Sequence, residues 1–564
     1  MTANFHQNGT NDGTQIGVNE GTVIIGAGSA LDPLDQACLQ DLRITDPRDD
    51  KERLKSTSGG LLEASYQWIR DNEAFKQWQD DKSNSKPVLW IRGNPGKGKT
   101  MLLCGIIEDL AKSHENATIS FFFCQATDLR INSAKSVLRG LIYLLVKQNR
   151  SLLRHVRARY DSARENVFKD VNAWHALVSI FTQILEDPSL KNVYLGIDAL
   201  DECGDGREDL LNLIVKTSEA NPKIKWVVSS RNERDITEAL DLAVQVAQVS
   251  LEMSEASVSE AINAFISDKV FSLAQKKRYK PELRDQVHRH LFLNSRGTFL
   301  WVSLVLKNLV RTQSRHVKEK LKTFPPGLDA LYHRMMDQVR ESEDADFCKQ
   351  ILGTISTVYR PVTLGELGSL LTGRIDGLDD NDTIAEVIES CGSFLTVQDD
   401  TVTLVHQSAK EFLVKEASTE IFPQGVASEH HAIFSQCLDA LVKTLRRDIF
   451  SIRLPGITRD QIRVPSPNPL TSAEYACVYC VDHLGDCQSS ATYRLSLKNR
   501  EMVDIFLRHK YLNWLEALSL LGKVSDGIGS MRRLENILEV SHKVVVRYAF
   551  CFDKTWLLIG GKRI

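Results

Sequence analysis

The sequence predicts an α/β fold, a parallel sheet covered by helices on both faces, followed by a helical domain, a winged helix and a second helical domain. Three observations predict it. First, between residues 87 and 250, short apolar runs alternate with stretches of helical spacing such as "SAKSVLRGLIYLLVKQ" (133–148). The runs are "VLWIR" (88–92), "ATISFFFC" (117–124), "VYLGI" (193–197), "WVVSS" (226–230) and "AVQVAQV" (243–249). Strands that alternate with helices imply crossover connections and hence parallel pairing. Second, a glycine-rich turn, "GNPGKGKT" (93–100), separates the first run from the helical stretch "MLLCGIIEDLAK". Third, strand signals fade after about 250, except where "RPVTLGELGSLL" (360–371) precedes "SFLTVQDDTVTLVHQSAKEFL" (393–413). That order is helix, hairpin, helix.

Taken along the chain, each element has its reason. Residues 1–30 are rich in Gly, Asn and Thr and too poor in apolar mass to build a core. Residues 31–86 form a linker whose stretch 35–85 reads as helical, with Leu61, Leu62, Tyr66, Trp68 and Ile69 on an apolar face. The sheet domain occupies 87–250, the first helical domain 251–335, the winged helix 336–418 and the second helical domain 419–545, with 546–564 unassigned. Within "FPPGLDALYHRMM" (324–336), two prolines stop one helix before the next begins. A chain of 564 residues has room for three or four domains of ordinary size. No repeat of 20–50 residues is present in it.

Composition excludes several function classes. Seventy basic residues against 73 acidic ones leave a net charge of −3, so electrostatics favours neither a nucleic-acid partner nor a membrane surface. The sequence contains no apolar run long enough for a membrane span. Eleven scattered cysteines and no signal-peptide pattern predict free thiols and a cytoplasmic protein.

The chemistry is carried by three elements. "GNPGKGKT" satisfies G-x-x-x-x-G-K-[ST] through Gly93, Gly98, Lys99 and Thr100, with a strand before it and a helix after it. In such a loop the backbone of Gly93, Asn94, Pro95, Gly96, Lys97, Gly98, Lys99, Thr100 and Met101 curls around phosphate oxygens, every residue but Pro95 offering an N–H group, aided by the helix N-terminus. Lys99 reaches the β- and γ-phosphates, and the Thr100 hydroxyl ligates Mg²⁺. This predicts a three-layer P-loop NTPase that binds ATP or GTP with Mg²⁺; the motif does not choose the base. The second element, "VYLGIDALDEC" (193–203), delivers Asp198 from a strand end toward Mg²⁺, with Asp201 or Glu202 left to orient or deprotonate a water. The third, "KWVVSSR" (225–231), sends Arg231 toward the same crevice, as a reader of the γ-phosphate or simply a surface arginine.

Together these elements resemble the NACHT family of signalling NTPases within the STAND class, and in particular fungal NOD-like receptors of the heterokaryon-incompatibility type. Residues 38–54, 88–107, 297–309 ("GTFLWVSLVLKNL") and 511–523 ("YLNWLEALSLLGK") carry the likeness. The resemblance implies a nucleotide-controlled switch that self-oligomerises, hydrolysing slowly if at all. It also implies a winged-helix histidine on the β-phosphate, and His406 in "LVHQSAKEFL" holds the matching strand-to-helix position. Gln407 departs from the Met-His-Asp form of plant relatives, and a helix-capping or core role for His406 stands beside the phosphate contact. The rival is a P-loop enzyme whose continuous turnover does remodelling work.

Two further patterns need reading. "CVYCVDHLGDC" (477–487) offers Cys477, Cys480, His483 and Cys487 as zinc ligands, but the apolar spacing predicts one continuous helix, which cannot turn all four to one ion. "TNDGTQIGVNEGT" (10–22) alternates with strand period, with Asn11, Gly13, Gln15, Gly17 and Asn19 on one parity and Ile16 on the other. It resembles the pseudo-palindromic amyloid motif of fungal NOD-like receptors, similar to the RHIM. Stacked copies would form Asn and Gln ladders, and the resemblance implies a downstream effector protein carrying a matching motif. The alternative is an inert tail.

Overall fold

The computed structural model describes residues 32–80, 86–114, 116–242, 246–374, 380–453, 461–488 and 497–537. The 10–22 motif and the tail after 537 lie outside the described residues.

The N-terminal linker is not one helical stretch. Helices α1 (Pro33–Leu42) and α2 (Pro47–Thr57) each begin at a proline behind an aspartate cap, Asp32 and Asp46. Gly59 and Gly60 then take φ of +90° and +94°, which ends α2. Residues 63–71 follow as two short 3₁₀ turns, and Asn72 caps α3 (Glu73–Gln79). The apolar residues read there as a helix face are a wrapped segment: Tyr66 and Ile69 are buried while Leu61 and Trp68 are partly so.

The sheet consists of β1 (Val88–Arg92), β2 (Thr118–Phe123), β3 (Val193–Asp198), β4 (Ile224–Ser230) and β5 (Val246–Ser250), all parallel, in the order β2-β3-β4-β1-β5. Every residue of β3 and β4 is buried. Side chains alternate between faces along a strand, so both faces of the sheet are covered. The crossovers supply the cover: α4 (Lys99–Ser113), α5 (Ala134–Gln148), α6 (Leu153–Ala163), α7 (Ala173–Leu185), α8 (Arg207–Ala220) and α9 (Arg234–Leu242). Placing β4 between β1 and β3 brings the ends of three strands, and hence Gly93, Asp198 and Arg231, to one edge of the crevice.

A helical unit follows: α10 (Glu255–Lys277), α11 (Pro281–Asn294), α12 (Phe299–Arg311) and α13 (Val317–Lys322). Pro325 and Pro326 separate it from α14 (Leu328–Arg340), and Trp301 Nε1 donates to the Pro325 carbonyl at 2.9 Å. The winged helix comprises α15 (Ala345–Thr357), β6 (Val362–Thr363), α16 (Leu364–Leu371), α17 (Asn381–Ser390), β7 (Leu395–Gln398), β8 (Thr401–Leu404) and α18 (Gln407–Lys415). Its antiparallel sheet runs β6-β8-β7. Thr363 and Glu366 form a capping box at α16, and Arg360 grips the same glutamate with both terminal nitrogens. A short α19 (Ser418–Ile421) leads to a second helical unit of α20 (Val426–Thr444), α21 (Glu474–Gln488), α22 (Leu497–His509), α23 (Tyr511–Leu521) and α24 (Val524–Ile537).

Helix α21 contains the Cys477–Cys487 stretch. His483 sits between the Tyr475 hydroxyl at 2.7 Å and His430 Nδ1 at 2.8 Å, and the three cysteines are buried. Among the described residues no group of three or more His, Cys, Asp or Glu side chains is placed to hold a metal. No described helix is long and apolar enough to cross a membrane.

Candidate nucleotide site

The loop after β1 is shaped by two left-handed glycines. Gly96 and Gly98 take φ of +75° and +90°, and a Cβ on Gly98 would sit 2.9 Å from the Phe299 ring, so only glycine fits. α4 starts directly after Gly98, leaving its first backbone N–H groups facing the crevice. The loop's entry is fixed from outside the motif, because Asn94 N–H donates to Glu252 Oε1 at 2.7 Å. Lys99 Nζ is held over the loop by the carbonyls of Gly93 (2.6 Å) and Asn94 (3.2 Å), and burial lowers its pKa. An ammonium bonded only to neutral carbonyls keeps its full charge for an anion.

The Asp198 carboxylate leaves β3 fully buried. Thr100 Oγ1 donates to its Oδ2 at 2.7 Å, and Ser229 Oγ donates to its Oδ1 at 2.5 Å. Burial raises the pKa of this group despite both bonds and the nearby charge of Lys99. A hydroxyl and a carboxylate oxygen at this spacing fit two adjacent positions of a Mg²⁺ octahedron, whose neighbouring oxygens stand about 2.9 Å apart. The chain turns sharply at Ala199 (φ +52°), which redirects the next two acids differently. Asp201 is consumed by Arg231: its Oδ1 accepts the Arg231 backbone N–H at 3.0 Å and its Oδ2 faces the guanidinium Nε at 3.1 Å. Glu202 instead accepts the Ala126 N–H through Oε2 at 2.9 Å, and burial pushes its pKa up to about 8.

These elements close on one pocket of about 180 Å³. Pro95 to Met101 line it, with Asp201, Glu202, Arg231 and His406, whereas Gly93, Asn94 and Asp198 do not: the first two touch Lys99 through their carbonyls, and Asp198 stands behind Thr100 and Ser229. His406 comes from the winged helix and does two things. Its Nδ1 caps α18 by accepting the Ser408 N–H at 3.0 Å, and its ring borders the pocket that holds Lys99. Burial, with Arg231 and Lys99 nearby, lowers its pKa to about 4. With Nδ1 accepting a backbone proton, the neutral ring carries its own proton on Nε2.

Sequence reading missed the rest of the wall. Thr57, Ser65 and Trp68 of the linker, Ser229 of β4, Phe265 of α10, and Phe299 and Lys307 of α12 all line the pocket, and Glu252 braces it from behind. Ser229 falls within the 225–231 stretch, and Phe299 and Lys307 within 297–309, but nothing in the spacing of those stretches marks them as pocket residues.

Fold and site thus define a P-loop NTPase with a winged helix seated at its nucleotide pocket. Residues 64–231 match the family model described as nephrocystin 3, N-terminal, and residues 332–429 match the GPI inositol-deacylase winged helix domain. The chain is 47% identical over 520 residues to the vegetative incompatibility protein HET-E-1 of Podospora anserina, which covers 89% of this chain and 38% of that protein. The chain therefore spans well under half the length of this curated relative. Among solved structures, the Walker-type ATPase paby2304 of Pyrococcus abyssi matches at 11% identity, covering 67% of this chain and 99% of that one, with a TM-score of 0.31. A mutant RuvB of Thermotoga maritima matches at 15% identity, covering 62% and 95%, with a TM-score of 0.24.

Proposed function

We propose that this chain is a nucleotide-controlled signalling switch of the heterokaryon-incompatibility type, acting in the cytoplasm. One observation carries the reading: His406 of the winged helix and Lys99 of the P-loop border the same pocket, so whatever fills the pocket bears on where the winged helix sits. In the proposed resting form, ADP or GDP places its phosphates between the loop N–H groups, Lys99 and the His406 Nε2–H. Thr100 and Asp198 hold Mg²⁺, which neutralises phosphate charge when bound. Glu202 is the better candidate than Asp201 for orienting a water, since both Asp201 oxygens are engaged by Arg231.

Exchange for ATP or GTP displaces the winged helix and exposes surfaces for self-oligomerisation. Hydrolysis resets the switch and need not be fast. The oligomer clusters the motif containing Asn11, Gly13, Gln15, Ile16, Gly17 and Asn19, raising its local concentration until it stacks and templates a downstream effector that triggers cell death. The near-neutral charge balance gives no role to nucleic acid. The likeness to an incompatibility protein supports this assignment, although the segment compared is a minor part of that relative.

The test is the nucleotide carried by the purified protein, identified by mass spectrometry after denaturation. A retained nucleoside diphosphate supports the switch and names the base. Protein that neither retains nor rebinds a nucleotide overturns it.

A further inference from the structure

Arg231 stands between two domains. Its Nε faces Asp201 Oδ2 within the sheet domain, and its Nη1 donates to Glu411 Oε2 on α18 at 2.8 Å, 180 residues away. The remaining nitrogen, Nη2, is buried with no partner. Gln407 Nε2 steadies the other Glu411 oxygen at 3.4 Å. Burial works against the Glu411 charge, but the bond and charge of Arg231, with the Gln407 bond and the charge of Lys415, together keep the carboxyl below its ordinary pKa. We propose that Glu411 sets the preference between nucleoside diphosphate and triphosphate, by competing with the third phosphate for Arg231. The inference rests on the nucleotide-binding reading above.

The argument is one of charge and valence. A guanidinium offers a fixed fork of donors, and here Asp201 and Glu411 occupy two of its three nitrogens. A diphosphate ends at the P-loop and places no charge beside Arg231. A third phosphate extends toward it and meets two carboxylates against one cation. It therefore binds poorly while Glu411 keeps its hold, and binds well once α18 gives Arg231 up. The same guanidinium that prefers the longer ligand thus also tethers the winged helix, and linkage requires each event to favour the other.

The experiment uses the full chain stripped of nucleotide, titrated with the diphosphates and non-hydrolysable triphosphates of adenosine and guanosine in Mg²⁺. In Glu411→Gln, which keeps size and loses charge, the affinity ratio moves about tenfold toward triphosphate. In an Arg231→Met background, Glu411→Gln moves it no further. Arg340→Ala, which breaks a separate ion pair with Glu420 away from the pocket, leaves the ratio where it was. An equal change in both affinities, or a shift that persists without Arg231, overturns the inference. If the unaltered protein binds neither nucleotide, the nucleotide-binding reading itself fails. If it binds both and Glu411→Gln leaves their ratio unchanged, only this inference does.

Discussion

Replacing His406 by alanine removes two interactions, and replacing it by asparagine removes one. The imidazole Nδ1 caps α18 through the Ser408 N–H, a role an asparagine oxygen also fills. Its Nε2–H is the group proposed to meet the β-phosphate. Loss of a side-chain cap costs roughly 0.5–2 kcal/mol of stability, and loss of a hydrogen bond to a charged group about 1.5–3 kcal/mol of binding. His406→Asn is therefore expected to unfold at nearly the same temperature as the unaltered protein without nucleotide, yet to bind diphosphate about ten- to hundredfold more weakly. His406→Ala shows the same binding loss with a lowered melting temperature. Moving a closed population from 1% to half open takes about 2.7 kcal/mol, so either variant approaches constitutive opening. pH gives a second handle. The folded-state pKa of about 4 lies below the ordinary histidine value of 6.5. The contribution of a neutral ring to stability is thus complete above about 6.5 and is lost as pH falls through 4, a slope that both variants abolish. Calorimetric titration with diphosphate and thermal unfolding across pH 4–8 provide the measurements. If His406→Asn binds diphosphate as tightly as the unaltered protein, capping is the whole role of this residue.

Lys99→Ala leaves the phosphates without their central cation, and nucleotide retention should disappear together with any nucleotide-induced oligomer; retention at the original level would remove the P-loop assignment. Glu202→Gln should slow hydrolysis at least tenfold while leaving triphosphate bound, read by single-turnover assay. Because the Glu202 carboxyl is raised to about 8 in the fold, its stabilising contribution is complete below about 4.5 and is lost as pH rises through 8. The glutamine variant should therefore melt higher than the unaltered protein at pH 9, and the gap should close by pH 5; a gap that ignores pH would mean the burial of this acid has been misread. A peptide of residues 1–30 should form fibrils with a ~4.7–4.8 Å repeat when concentrated, and Gly17→Pro should prevent it by deleting one backbone donor in every layer. Equal fibril formation by the proline peptide would reduce this stretch to a tail.

The parts of the site legible in the sequence are those enforced by local chemistry. A loop that wraps phosphate needs glycines at fixed spacing and an apolar strand before it, and a metal-binding carboxylate needs delivery from a buried strand end. Gly93 to Thr100 and Asp198 satisfy both within a dozen residues each. The same holds for the hairpin and α18, whose period switches from two to 3.6 at His406. Where the reading failed, a local signal was overruled: the apolar residues 61–69 have helical spacing, but Gly59 and Gly60 break the chain before them and Asn72 restarts it after. Sequence order alone left Asp201 and Glu202 equivalent, because the sharp turn at Ala199 that sends one to Arg231 and the other to Ala126 is a backbone event.

What no local pattern carries is the far side of the pocket. Asn94 is fixed by Glu252, 158 residues on; Arg231 by Glu411, 180 residues on; Thr57 by Gln398, 341 residues on. Each is a single polar pair whose partners have ordinary neighbours, and a carboxylate five residues into a surface-charged helix is indistinguishable from a solvated one until the fold brings a guanidinium to it. This division follows the physics of the two tasks. Holding phosphate is a short-range problem of backbone N–H groups and one lysine, so it is written compactly. Distinguishing one phosphate chain length from another, and converting the difference into movement of a domain, requires a contact that exists in one arrangement of domains and not in the other. Such a contact must join segments distant in sequence, since neighbours along the chain remain together in both arrangements. In the proposed switch the Arg231–Glu411 pair and the His406 ring are contacts of that kind, whereas the Lys99 bonds to Gly93 and Asn94 are not.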